Sequence, residues 1–163
     1  MSLRILHITD TLGRTGVASQ VLTLTRGLVE RGVDVHVAAL DGGQALAGEF
    51  RESGVPTTTL GRRWAFDPVA YWKLRRLVQR LRPDVVHTWN CDAGVFGRLA
   101  AWAGGVRNVV AGVYRIEPLR GHGARLFDRM LAEQTPRIVT SSAHIRDWWV
   151  HYGGLPAQNF TVI

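Results

Sequence analysis

Three short stretches of the 163-residue sequence gather side chains that could hold or convert a polar ligand. The first is Asp10-Thr11-Leu12-Gly13-Arg14-Thr15-Gly16, which leads directly into an amphipathic run. Glycine lets a backbone approach a ligand closely, and the start of a helix offers free N–H groups and a partial positive charge. Gly13, Thr15 and Gly16 therefore suit a phosphate, or an oxyanion growing on a leaving group. The same glycines could serve only to turn the chain from strand to helix. The loop is neither GxGxxG nor a GxxxxGKS/T phosphate loop. Asp41 could mimic the acid that holds a nicotinamide ribose, but it stands 25 residues past Gly16 in an incomplete fingerprint.

The second stretch, His87-Thr88-Trp89-Asn90-Cys91-Asp92, combines a base, an aromatic surface and polar donors. A sugar shows hydroxyls at its rim and C–H groups on its faces, so this mixture fits a carbohydrate. His87 could equally be a hydrogen-bonded strand histidine, and Asp92 the cap of the next helix. Cys91 lacks the companions of a catalytic thiol and reads as a small packing residue. The third stretch holds Tyr114, Arg115, Glu117 and His122 between glycines. Arg115 could clamp a phosphate or carboxylate, and Glu117 could accept a hydroxyl proton. A solvated charged loop is the competing account. No His or Cys spacing fits a tightly held metal.

Short β-type runs that alternate with helical stretches must position these loops. Strands are expected over Arg4–Thr9, Val33–Leu40, Thr57–Leu60, Asp84–Trp89, Asn108–Val113, Arg137–Ser141 and Phe160–Ile163. Between them, Val17, Val21, Leu24 and Leu28 mark one face of a first helix, closed by Gly32. A short helix follows over 45–53. Asp67 and Pro68 open another that buries Ala70, Leu74, Leu77 and Leu81 and ends before Pro83. Further helices are expected over 92–103, 124–134 and 143–152, with Trp148 and Trp149 used in packing. The pattern predicts one α/β domain: a doubly wound, mainly parallel, Rossmann-like sheet of about seven strands with helices on both faces. In such a sheet, ligands gather beyond the carboxyl ends of the strands, where all three stretches lie. A chain that stops within its seventh strand reads as a fragment.

With 46% hydrophobic and 20% charged residues the composition is that of a globular protein. No apolar run approaches a membrane span, and the first residues lack the shape of a signal peptide. A single cysteine rules out a disulfide within the chain and suits a reducing cytoplasm. The net charge is +7, and its excess is concentrated: segment 62–82 holds Arg62, Arg63, Lys73, Arg75, Arg76, Arg80 and Arg82 against Asp67 alone. Such a segment could meet phosphates or the anionic inner face of a membrane, as a peripheral contact, or be a solvated helix face. No nucleic-acid-binding signature accompanies it, so nucleic acid is not expected as a partner.

The order of these motifs resembles the group 1 (family 4) retaining glycosyltransferases. The similarity rests on Ile5-Leu6-His7-Ile8-Thr9-Asp10-Thr11-Leu12-Gly13-Arg14-Thr15-Gly16 and on the segment Leu24 to Val37, LTRGLVERGVDVHV. It continues through Leu81-Arg82-Pro83-Asp84-Val85-Val86-His87-Thr88-Trp89, then Arg137-Ile138-Val139-Thr140-Ser141-Ser142-Ala143 and Asn159-Phe160-Thr161-Val162-Ile163. The resemblance implies a GT-B enzyme, two Rossmann-like domains facing across a cleft, of which residues 1–163 form the acceptor-side domain. A missing C-terminal domain would hold the nucleotide-sugar, with no cofactor and no essential metal. Gly13, Thr15 and Gly16 would face the donor phosphates or sugar. His87, Trp89, Asn90, Asp92, Tyr114 and Arg115 would line the acceptor side. His87, Arg115 and Glu117 are the catalytic candidates, none of them decisive. Tyr114-Arg115 stands where several members carry a histidine, Ala18-Ser19 replaces a small–Glu pair, and the Glu-x7-Glu motif would lie beyond Ile163. A nicotinamide-dependent oxidoreductase domain and a non-catalytic partner-binding module are the other classes the sequence admits.

Overall fold

The computed structural model describes residues 2–163. Its elements alternate along the chain: β1 (Arg4–Thr9), α1 (Gly16–Glu30), β2 (Asp34–Ala39), α2 (Ala47–Glu52), β3 (Thr57–Thr59), α3 (Pro68–Leu81), β4 (Val85–Trp89). They continue with α4 (Cys91–Ala103), β5 (Val109–Gly112), α5 (His122–Glu133), β6 (Arg137–Thr140), α6 (Ala143–His151), a 3-10 turn at Ala157–Asn159, and β7 (Phe160–Val162). The strands form one parallel sheet in the order β3-β2-β1-β4-β5-β6-β7. This is the doubly wound architecture the pattern predicts, and the order reverses direction between β1 and β4.

Period-two alternation explains how the sheet is covered. Leu6 and Ile8 of β1 and Val86 of β4 point to one face, where they pack with Ala70, Leu74, Leu77 and Val78 of α3 and Ala93, Phe96 and Ala100 of α4. Farther along that face Ala111 and Ile138 meet Ala132 of α5 and Trp149 of α6. Val35, Val37 and Ala39 of β2 point the other way, into Ala18, Val21 and Leu22 of α1 and Phe50 of α2. Strand β1 is buried on both faces from Leu6 to Thr9, and β4 is buried on the face toward α3 and α4 with Val85 and His87 half-buried on the other, so the ends of β1 and β4 are fixed points from which loops can present polar groups.

Local chemistry sets the boundaries. Asp67 caps α3 by accepting from Val69 N and Ala70 N at 2.9 and 3.2 Å, and Arg82 ends it in the left-handed region just before Pro83. Helix α1 differs from expectation in its buried stripe. Ala18, Val21, Leu22 and Thr25 face the core, while Leu24 is 39% exposed. Thr25 can sit inside because its hydroxyl donates to Leu22 O at 3.0 Å, leaving no unpaired polar group. Helix α5 begins at His122 rather than Ala124. Trp149 is core, its Nε1 donating to Arg115 O at 2.9 Å, so α6 anchors the loop after β5.

Candidate ligand site at the carboxyl rim of the sheet

The turn between β1 and α1 lies at the point where the strand order reverses, the usual ligand crevice of an open α/β sheet. It is braced from beneath: Leu12 N donates to Gly43 O at 3.2 Å and Leu46 N to Leu12 O at 2.9 Å. Thr15 is the N-cap, its Oγ1 accepting from Ala18 N at 3.1 Å. The first amides of a helix have no intrahelical acceptor. Those of Gly16 and Val17 find none among the described residues. Arg14, Thr15 and Gly16 are exposed, and a Cβ added at Gly16 would meet nothing within 4 Å. The turn is therefore an open donor surface, with the Thr15 hydroxyl already committed to the cap.

Beside it, β1, β4 and the β5 exit build an aromatic ladder. His7 and His87 stand opposite each other in register. Trp89 stacks between His87, at 4.6 Å, and Tyr114, at 4.8 Å, and its Nε1 donates to His7 Nδ1 at 3.1 Å. Tyr114 can fold over the strand because Gly112 has no side chain: a Cβ there would overlap the tyrosine ring and approach Thr88 O to 2.9 Å. Its hydroxyl reaches 3.5 Å from His87 Nε2. Trp89, expected to offer a face to a ligand, has both faces covered and is buried. Tyr114 and His87 form the partly open part of the ladder. Burial pushes His87 down to about 4 and His7 well below the ordinary histidine value, so both rings are neutral near pH 7.

Asn90 follows Trp89 at φ 69°, ψ −179°, backbone space that belongs almost entirely to glycine, and its Oδ1 is buried without a partner among the described residues. Asp92 is not a cap. It sits in the first turn of α4, held by Arg62 at 2.9 Å and Arg120 at 3.3 Å. A chain of ion pairs runs on from there: Arg62 also binds Asp41, and Arg120 binds Glu117 and the buried Asp128. Glu117, a candidate base, is the shared counter-ion of Arg115 and Arg120. Arg115 is 60% exposed and its Nη2 lies 3.9 Å from Asp10.

The structure thus brings Gly13, Gly16, Asp92, Arg115 and Glu117 to one rim, with His87, Trp89, Asn90 and Tyr114 behind it. Sequence reasoning gave no role to Asp10, Arg120 or Asp128, and placed Arg62 only within the basic segment. Asp10 was the legible one, as the residue directly after β1. Its Oδ1 accepts from Ala93 N at 2.9 Å, and burial raises its carboxyl from 3.8 to about 6 despite Arg115. Arg62 reads in sequence as part of a basic run, and only the return of β3 beside β2 places it between two acids.

Fold and rim together define a Rossmann-type domain whose first helix starts, with unpaired amides, at the switch point of the sheet. The pattern of Glycosyltransferase Family 4 matches residues 14–163, and the chain belongs to that family. Among solved structures it resembles HepE of Anabaena, crystallised with UDP and glucose, at TM-score 0.82 and 14% identity over 99% of this chain and 44% of that one. It resembles a glycosyltransferase from Rickettsia africae at TM-score 0.76 and 13% identity, over 99% and 42% of the two chains. The UDP-GlcNAc 2-epimerase of Methanocaldococcus jannaschii is similar at TM-score 0.65 and 12% identity, over 99% and 45%. No curated protein matches in sequence. The chain spans less than half the length of each of these three structures.

Proposed function

We propose that the chain is the acceptor-side half of a retaining glycosyltransferase, moving a sugar from a nucleotide-sugar to a glycan, lipid-linked or small-molecule acceptor. The observation that supports this most is the open glycine turn at the switch point of the sheet. The leaving nucleoside diphosphate gains charge as the glycosidic bond to the sugar breaks, and fixed amide donors at a helix start stabilise that charge without reorganising. A second lobe holding the nucleotide would close on this rim and bring Gly13 and Gly16 to the diphosphate, with Thr15 shaping the turn. The acceptor would lie over Tyr114 and the edge of His87, near Arg115. HepE, of like fold, was also crystallised with UDP-glucose, which supports a nucleotide-sugar as co-substrate. No cofactor or metal enters this reading, and nucleic acid has no part in it. The protein would work in the cytoplasm and meet the membrane peripherally through segment 62–82. No helix among the described residues is long and apolar enough to cross a membrane.

The shared fold of the UDP-GlcNAc 2-epimerase makes epimerisation the reading to separate, and the family match favours transfer. Full-length protein given UDP-glucose and a panel of acceptors should yield a glycosylated product with the donor's anomeric configuration, read by mass spectrometry and NMR. An inverted product would remove retention. Conversion of the nucleotide-sugar to its 2-epimer, with no acceptor modified, would overturn the transferase reading.

A further inference from the structure

The loop after β3 and the first turns of α3 expose four large apolar side chains together: Trp64 at 58%, Phe66 at 70%, Val69 at 59% and Trp72 at 54%. Three of them are aromatic, the side chains that settle at the headgroup level of a bilayer. The helix below has its own complete core stripe in Ala70, Leu74, Leu77 and Val78, so none of the four is needed to bury α3. Cations frame the quartet. Arg63, Lys73, Arg76 and Arg80 are exposed, and the Arg75 guanidinium lies 5.0 Å from the centre of the Trp72 ring. Asp67, the one acid in the segment, is turned inward to cap α3 and does not offset them.

The apolar surface does not stop at the helix. On one side of Phe66 a hollow of about 250 Å³ runs between Tyr71, Phe96 and Leu99 with almost no polar lining. On its other side a second hollow, of about 310 Å³, lies against Phe127 and Ala124 and opens beside Asp92 and Arg120. Phe66 stands edge-on to Phe127, ring centres 6.3 Å apart, as the partition between them. Apolar hollows therefore flank Phe66, and one of them reaches the rim beside Asp92 and Arg120.

We propose that this face, carried by residues 63–76, seats the protein on an anionic lipid surface, with Trp64, Phe66 and Trp72 in the headgroup layer beside Val69 and the arginines on lipid phosphates. Aromatic insertion and cation attraction are each too weak alone and together give reversible peripheral binding. The inference deepens the transferase reading by assigning a lipid-linked acceptor, whose hydrocarbon chain would follow the Phe66 hollows while its polar head reaches the rim.

The test is co-sedimentation of the full-length protein with vesicles of phosphatidylcholine, alone or with 30% phosphatidylglycerol added (about a third anionic, enough for a negative surface potential). Binding is expected only to the mixed vesicles. It should weaken about fivefold for each of Arg63→Gln and Arg76→Gln, and more for the pair Phe66→Ser and Trp72→Ser. Arg51→Gln, an exposed charge loss on α2, should leave it unchanged, and circular dichroism melting should show every variant folded. Equal binding to both vesicle types would overturn the proposal, as would full binding by the folded aromatic pair. Loss of a dimer in that pair with vesicle binding intact would assign the face to a second copy instead. Titration with UDP, GDP, ADP and TDP separates the two readings: vesicle binding without affinity for any nucleoside diphosphate leaves this face standing and removes the transferase.

Discussion

Asp10, directly after β1, and His87, on the neighbouring β4, carry opposite electrostatic costs. Asp10 has its carboxyl raised from 3.8 to about 6 by burial, so the fold prefers it protonated. Its contribution is fully present below about pH 4 and is lost as pH rises through 6, a loss of about 2 kcal/mol for a group still partly exposed. His87 is held down to about 4 by burial. Its contribution is present above 6.5 and is lost as pH falls towards 4. The two slopes oppose each other, so the wild-type melting curve hides both. Asp10→Asn keeps the acceptor for Ala93 N and removes the charge. Its melting temperature should match wild type at pH 4 and exceed it by several degrees at pH 8. Equal melting at pH 8 would mean that Asp10 is well solvated. A destabilised carboxylate at the ligand rim is what a site that trades stability for function would retain.

Among the elements, α4 is the one whose position decides the site, because its first turn carries Asp92 and its amide at Ala93 holds Asp10. It lies unusually close to the sheet. A Cβ at Gly97 would overlap the Thr88 side chain and approach Ile8 Cδ1 to 3.0 Å. Gly97→Ala should therefore cost about 1–3 kcal/mol by overpacking, read as a lower midpoint in urea, although alanine is the better helix former. A gain in stability would show that α4 can lift away. Elements of this kind were legible: short apolar strand runs, Pro68 at a helix start and Gly32 at a helix end each carry a local reason. What lies between elements was not. The stripe of α1 turned because Thr25 satisfies its own hydroxyl. Trp89 lost its role as a platform because Tyr114, 25 positions on, covers it. The ion chain from Asp41 to Asp128 needs three loops and the helices α4 and α5 brought together, and no spacing in the sequence encodes that.

As a whole molecule the chain has one open side. Helices bury the centre of its sheet, and the unpaired amides at the start of α1 face outward at one rim. Sugar transfer needs donor, acceptor and leaving-group stabilisation held in a single geometry, which accounts for a large part of the barrier lowering. The 163 residues alone should fold yet turn over no nucleotide-sugar, and transferase activity from them would refute the two-lobe account. The most direct measurement addresses the turn itself. Space around Gly16 is empty in the fold, so Gly16→Leu should leave the melting temperature within a degree or two. In the full-length enzyme it should lower kcat/KM for the nucleotide-sugar at least about tenfold, near 1.4 kcal/mol of lost stabilisation. An unchanged kcat/KM in a folded Gly16→Leu enzyme would show that no donor approaches this turn.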